Sequence, residues 1–360
     1  MDKEEQIYRD LQKHMDGLPV GYPATQSGVE IRMLKRFFTP EEAVVATHLS
    51  ITPEPVERIF ERVKKAGISP ERLQAVLDAM ERKVSVETST RGGKKLYRNQ
   101  VFVVGIWESL VNKLTPEWLQ DMAQYRQSFG PEMYSVKTRQ MRTIPVEKSI
   151  PLPEKYDVAT YDNVRELIEN NTGQFAVANC ICRQANDLAG APCKVTNLRE
   201  LCLVLEGEQY ILAGLGRPIT RAEALSILDK AQDAGLVLQP LNSQRPWAIC
   251  CCCGDCCGIL RGLKQLPRPA DFYASNFYAE IDPELCTGCQ SCIDRCQLGA
   301  PFMKNGVAAI NLDRCIGCGN CVTVCTSEAV RLKKKEKEMV PPEDTDDLYN
   351  KIAVEKTRTR

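Results

Sequence analysis

Apolar residues recur at helical spacing through the first third of the chain. Val56, Ile59, Phe60 and Val63 share one helical face, and Leu73, Val76, Leu77 and Met80 share another. Start and stop signals bracket them. Thr39-Pro40-Glu41-Glu42 spells a capping box, Thr52-Pro53 and Ser69-Pro70 open the next two helices, and Gly67 ends the middle one. Helices are therefore predicted through EEAVVATHL, after Pro53 and from Ser69, preceded by a short helix and a turn-rich arm, LPVGYPATQSG. The pattern then changes to strand: VSVET and LYRNQVFVVG flank the loop STRGGKK. A helical stretch follows, then a proline-punctuated linker, TIPVEKSIPLPEKYD. Beyond it, residues 161–170 read as a helix, QFAVANCIC (174–182) as a buried strand, and WAIC as another strand. Thr220 and Glu223 form a second capping box, opening a helix that carries Ala224, Leu225, Ile227, Leu228 and Ala231 on a stripe and stops at Gly235. After Arg331 the runs KKKEKE and PPEDTDD predict a solvated or loosely packed tail.

At 360 residues the chain has room for two or three domains. Lys+Arg and Asp+Glu both number 47, so the molecule as a whole is not an obvious polyanion binder, which leaves room for local basic patches. Three helices followed by a basic hairpin over 31–105 resemble a winged-helix domain. In that resemblance the helix from Ser69 takes the recognition position, and Arg91, Lys94, Lys95 and Arg98 decorate the wing. Eleven basic and seven acidic residues lie between Pro53 and Arg98. Glu71, Asp78 and Glu81 on the recognition helix oppose a place in the major groove, which favours a packing or partner-binding use over DNA binding.

The chain holds 18 cysteines and only two histidines, His14 and His48. No apolar run is long enough to span a membrane, and MDKEEQIYRDLQKHM has no apolar core of a secretory signal. Both point to a cytoplasmic protein with reduced thiols, in the oxygen-poor setting of an anaerobe. Neither histidine neighbours a cysteine group, so metal sites here are predicted to be nearly all sulfur, and histidine-based acid–base chemistry has little support.

Cys286-x2-Cys289-x2-Cys292-x3-Cys296 recurs as Cys315-x2-Cys318-x2-Cys321-x3-Cys325. Two-residue spacers let three thiolates wrap one cubane cluster, and the longer step sends the fourth to the other cluster. The predicted ligand sets are Cys286, Cys289, Cys292 with Cys325, and Cys315, Cys318, Cys321 with Cys296. Identical spacing in both runs argues against zinc knuckles or a disulfide framework. Over 276–332 the chain resembles the bacterial two-cluster ferredoxin domain, which implies two [4Fe–4S] clusters and low-potential one-electron transfer. That family places proline after each fourth cysteine; Gln297 and Thr326 stand there instead.

Ten cysteines remain. The pair Cys180-x-Cys182, read as a strand end, would put both sulfurs on one face. Cys193 sits in a Gly-Ala-Pro turn, and Cys202, inside LCLVL, reads as a core thiol. The run ICCCCGDCCGIL holds metal-ligand spacings at Cys250-x2-Cys253 and Cys253-x2-Cys256. Candidate ligands of a further centre are Cys180, Cys182, Cys193, Cys250, Cys252, Cys253, Cys256 and Cys257. An additional iron–sulfur cluster, a zinc site or a reactive dithiol all satisfy the run. The stretches FVVGIWE, NCICRQ, ICCCCGDCCGILRG and SNFYAEIDPELCTGC resemble a family of 4Fe–4S proteins from anaerobic bacteria and archaea. In that family a winged-helix-like region precedes a Cys-rich middle and a terminal two-cluster domain. Cys252-Cys253-Gly254 and Cys256-Cys257-Gly258 also resemble the CCG signature of heterodisulfide reductases, at tighter spacing.

The predicted architecture is α+β and multidomain. It comprises a helix and arm (1–30), a winged-helix-like domain (31–105), a helical linker (106–150), a Cys-rich α/β middle domain (151–275), a two-cluster ferredoxin fold (276–332) and a charged tail (333–360). The function expected is an electron-transfer protein or subunit serving a redox partner protein. The alternatives are a redox-responsive DNA-binding regulator and a reductase centred on Cys250–Cys257. No dinucleotide fingerprint or phosphate loop stands out, which favours a carrier over a self-contained enzyme.

Overall fold

The computed structural model describes residues 2–132, 134–150 and 158–359. The expected boundary at 151 and the linker stretch PLPEKYD (151–157) lie outside the described residues. The chain is mixed α+β and divides into two compact units. One comprises Met1–Lys137, Glu208–Arg217 and Tyr349–Arg360; the other comprises Thr138–Gly207 and Pro218–Leu348.

The first unit is built on helices Lys3–Gly17, Val29–Phe37, Pro40–Thr47, Val56–Val63, Pro70–Arg82 and Pro116–Glu132. The capping chemistry is as the residues dictate. Thr39 Oγ1 accepts from the Glu42 N–H at 3.3 Å, Glu42 returns a carboxylate to the Thr39 N–H at 2.7 Å, and Ser69 Oγ accepts from the Arg72 N–H at 3.2 Å. Strands β1 (Val86–Arg91) and β2 (Lys94–Asn99) form the antiparallel hairpin. The strand expected through FVVG instead stops at Asn99. Phe102 leaves the hairpin to pack among Tyr22, Tyr125 and Phe129, so aromatic packing overrides local strand preference. His14 and His48 both bond to backbone carbonyls, of Leu49 and Val44.

The tail differs from expectation. Residues Thr345–Thr359 form a helix on which Leu348, Tyr349 and Ile352 are buried. Its flanking charges mask this apolar stripe in the sequence. Lys356 is buried with it, donating to the carbonyls of Asp16 (2.7 Å) and Leu18 (2.9 Å) and pairing with Glu132 at 2.8 Å. A Cβ at Gly21 would stand 2.5 Å from both the Lys356 Nζ and the Glu132 Oε1, so a side chain there would displace this pair. Lys356→Met strands two carbonyls and a carboxylate, and should destabilise this unit by about 3 kcal/mol. Thermal unfolding beside the exposed control Val354→Ala checks it, and equal melting of the two variants would refute the bracing role.

A five-stranded sheet has the order β5–β3–β4–β7–β6, with β3, β4, β6 and β7 in the second unit. The strands are β3 (Ala176–Asn179), β4 (Glu200–Val204), β5 (Gly216–Pro218), β6 (Val237–Pro240) and β7 (Ala248–Cys252). The pairs β3–β4, β4–β7 and β7–β6 are antiparallel. Helices Val164–Glu169 and Arg221–Asp233 cover one face, packing Val164, Ile168, Ala224, Leu228 and Ala231 against Val177, Leu203, Leu238, Ile249 and Cys251. That burial accounts for the apolar residues of β3, β4, β6 and β7. A smaller module follows, with β8 (Phe277–Ile281) paired to β11 (Val330–Lys334) and β9 (Pro301–Lys304) paired to β10 (Val307–Ile310), all antiparallel. A buried ion pair, Arg142 to Asp162 at 2.6 Å, is extended by Asn276, which donates to Asp162 at 2.8 Å.

Candidate metal centres

No disulfide joins any of the 18 cysteines. In the larger sheet they sort into two groups. Cys193, Cys253 and Cys256 converge with Asp255, and their donor atoms all lie within 4.8 Å of one another. Cys193 Sγ is 3.6 Å from Cys253 Sγ and 3.8 Å from Asp255 Oδ1, and the Lys194 N–H fixes the second carboxylate oxygen at 2.7 Å. Four sulfurs around a single ion at about 2.3 Å stand about 3.8 Å apart, so this spacing suits one tetrahedral ion rather than a cubane. Burial acts to raise the Asp255 pKa, but the Cys253 thiol and the Lys194 N–H overcome it and hold the carboxyl down at about 2. Burial likewise acts to raise Cys193, but the N–H groups of Thr196 and Val195, the Arg183 guanidinium and Cys253 outweigh it, and the net shift is downward. Asp255 and Cys193 are thus biased toward their charged forms, whereas burial pushes the Cys256 thiol up to about 11 and Cys253 higher still, so those two need a bound ion to release their protons.

The second group contains Cys180, Cys182, Cys250, Cys252 and Cys257. The expected strand through Cys182 is corrected here. β3 ends at Asn179 after a bulge, the Cys180 N–H donates to Arg199 O at 2.7 Å, and helix Ile181–Leu188 begins at once. Cys180 is therefore the residue before the helix and Cys182 lies in its first turn. Cys202, expected as a core thiol, faces away from the core residues Leu201 and Leu203 and is hydrogen-bonded to Cys250. Cys251, in contrast, is core. Two donors escaped the sequence reading, and each left a signal. Asp255 is a carboxylate inside the cysteine run, and the alternation in LCLVL already points Cys202 away from its leucine neighbours.

In the smaller module, thiols ring cavities instead of touching. Cys286, Cys289, Cys292 and Cys325 line one of about 300 Å³. Cys296, Cys315, Cys318 and Cys321 line one of about 400 Å³. Each run thus sends its last cysteine to the other cavity. The halves mirror each other in their sulfur hydrogen bonds: the Ala279 N–H donates to Cys315 Sγ and the Ala308 N–H to Cys286 Sγ, both at 3.3 Å. Gly288 and Gly317 both have φ near +70°, and a Cβ on either would strike a backbone carbonyl, of Gly306 and Phe277. Residues 278–326 match the 4Fe-4S dicluster domain family. That match implies two [4Fe–4S] clusters and an iron–sulfur electron-transfer role for the chain. It bears on the dicluster domain alone, so the resemblance along the rest of the chain gains no support from it. No curated protein and no solved structure matches the chain.

The dicluster domain is asymmetric in its surroundings. Cys289 is exposed at the first cavity, with the exposed side chain of Met303 beside Gly288. The second cavity is walled partly by Val237 of β6, the Val146 N–H donates to Cys318 O at 3.0 Å, and Asn320 donates to Leu236 O at 3.1 Å. Gln297, in the family's proline position, is buried. Its Oε1 accepts from the Gly254 N–H at 2.7 Å and its Nε2 donates to Gly235 O at 3.1 Å. A proline could do neither. Thr326, its counterpart, is exposed. No helix among the described residues is long and apolar enough to cross a membrane.

Proposed function

We propose that this chain is an electron-transfer protein or subunit. Its dicluster domain passes single electrons between a partner oxidoreductase and a thiolate-held iron ion in the Cys-rich sheet domain. The ligands assigned are Cys286, Cys289, Cys292 and Cys325 for one cluster, Cys296, Cys315, Cys318 and Cys321 for the other, and Cys193, Cys253, Asp255 and Cys256 for the sheet-domain ion. The hydrogen bond from Gly254 to Gln297 carries the reading. It ties the residue after Cys253 to the residue after Cys296, a short bonded route between two donor sets. The partner would meet the exposed Cys289 side, since Val237 of the sheet domain walls part of the second cavity.

A DNA-reading role for the N-terminal helices draws less support. Arg72 is paired with Glu41 at 2.5 Å, Lys95 with Glu81 and Arg98 with Glu87, so these cations are committed within the protein.

An EPR-monitored redox titration of anaerobic protein tests the relay. Two clusters supply two one-electron steps, and an acceptor in the sheet domain adds a third. Two steps only would confine electron transfer to the dicluster domain and overturn the relay. Gln297→Pro restores the family residue but leaves the buried Gly254 N–H without its acceptor. It should cost about 2 kcal/mol of stability and loosen the ion held by Cys253, with cluster iron retained. Metal analysis with thermal unfolding checks this, and unchanged ion retention would show the bond to be incidental.

A further inference from the structure

Six cysteines outside the Cys193 set do not scatter. Alternation along β7 puts Cys250 and Cys252 on the sheet face opposite Cys251. Register places Cys202 of β4 across from Cys250, with Ala178 of β3 and Gln239 of β6 completing the row. Contacts then run on without a break. Cys202 is hydrogen-bonded to Cys250, Cys250 to Cys252, Cys252 to Cys257, Cys257 to Cys182, and Cys182 to Cys180. Packing as small apolar residues explains Cys251, but it does not explain a continuous ribbon of sulfur facing polar side chains.

Two such side chains lie beside it. Arg183 is fully buried; its Nη1 donates to Cys251 O at 3.0 Å, while Nε and Nη2 have no hydrogen-bond partner. Gln239 is fully buried too, with Nε2 3.9 Å from Cys257 Sγ and Oε1 unpartnered. A guanidinium enclosed with unmet donors calls for negative charge nearby. Thiolates held by metal supply it.

We propose that Cys180, Cys182, Cys202, Cys250, Cys252 and Cys257 form a second metal centre in the sheet domain, a thiolate-bridged pair of soft divalent ions, zinc or iron(II). Two tetrahedral ions need eight bonds, and six thiolates provide them when two of the sulfurs bridge. Six thiolates around two divalent ions leave two negative charges, which Arg183 partly offsets. Softness selects the ions, because thiolate donors discriminate against magnesium and calcium. The centre is separate from the Cys193 set and stands whether or not the electron relay does.

The test uses the full chain, purified anaerobically with zinc or iron(II) supplied, and counts metal and acid-labile sulfide per chain. Cys202→Ser and Cys250→Ser should each lose up to two ions while keeping the dicluster EPR signals, whereas Cys193→Ser should lose only one. Alkylation mass spectrometry on the unmutated protein gives a readout that does not depend on variants folding. The six thiols should be protected together and become reactive together when a chelator is added, with Cys251 following neither. Equal alkylation before and after chelation would overturn the proposal, as would full metal retention in both Cys202→Ser and Cys250→Ser. Labile sulfide beyond that of the dicluster domain, lost in Cys250→Ser, would replace the bridged ions with an iron–sulfur cluster.

Discussion

Replacing Cys315 and Cys318 together by alanine should remove about half of the dicluster iron and sulfide, roughly four of eight atoms each. The two thiols line the cavity of about 400 Å³ with Cys321 and Cys296, and two remaining sulfurs cannot hold a cubane there. The more searching variant is Cys296→Ala. Cys296 belongs by sequence to the run of Cys286, Cys289 and Cys292, yet it lines the cavity of Cys315, Cys318 and Cys321. It should therefore alter the same EPR signal as the double variant and spare the other. Cys325→Ala should do the converse. If Cys296→Ala instead perturbs the signal that Cys289→Ala perturbs, the crossed ligand sets are wrong. Loss of the cluster in this second cavity should also cost the sheet domain stability, because Val237 and the bonds from Val146 and Asn320 would border an emptied cavity. Loss of the cluster beside exposed Cys289 should cost less.

The legible parts of this chain were those where chemistry acts over short sequence distances. Ligation of a cubane fixes spacing along the backbone, so the doubled cysteine run could be read at once. Capping boxes are equally local, which is why Thr39 and Thr220 marked helix starts correctly. What stayed hidden depends on register. Nothing near Cys202 announces Cys250; only antiparallel pairing of β4 with β7 brings them opposite. Gln297 stood out as a departure from the family's proline, but its partner, Gly254, is set by the packing of the sheet domain against the dicluster domain. Cys180 and Cys182 were misplaced because a bulge and an immediate helix start follow an apolar run that reads as continuous strand. The tail helix failed for a different reason: composition outvoted a short stripe of Leu348, Tyr349 and Ile352.

Arg183 offers a test whose two readouts differ in direction. The side chain is wholly buried against both thiol groups. Burial acts to lower its pKa, yet Cys180, Cys253 and Cys252 act to raise it and the net shift is upward. Those three thiols are raised too, Cys180 and Cys252 by neighbouring thiols and burial and Cys253 by burial, so without metal they stay neutral beside a cation. In the metal-free protein this is a costly arrangement, with Nε and Nη2 unpartnered. Methionine, of similar length and without donors, relieves it. Arg183→Met should therefore leave the melting temperature of the reduced, metal-free protein unchanged or higher. With metal bound the sign reverses. A unit charge about 5 Å away is worth about 3 kcal/mol at an effective dielectric near 20, so losing the guanidinium should weaken metal binding about 100-fold. Chelator competition on the full chain, with Arg183→Lys beside Arg183→Met, reads this directly. Lysine keeps the charge but not the fork that reaches Cys251 O, and should fall between the other two. A residue that merely packs would lower stability with and without metal alike, and that result would remove Arg183 from the metal centres.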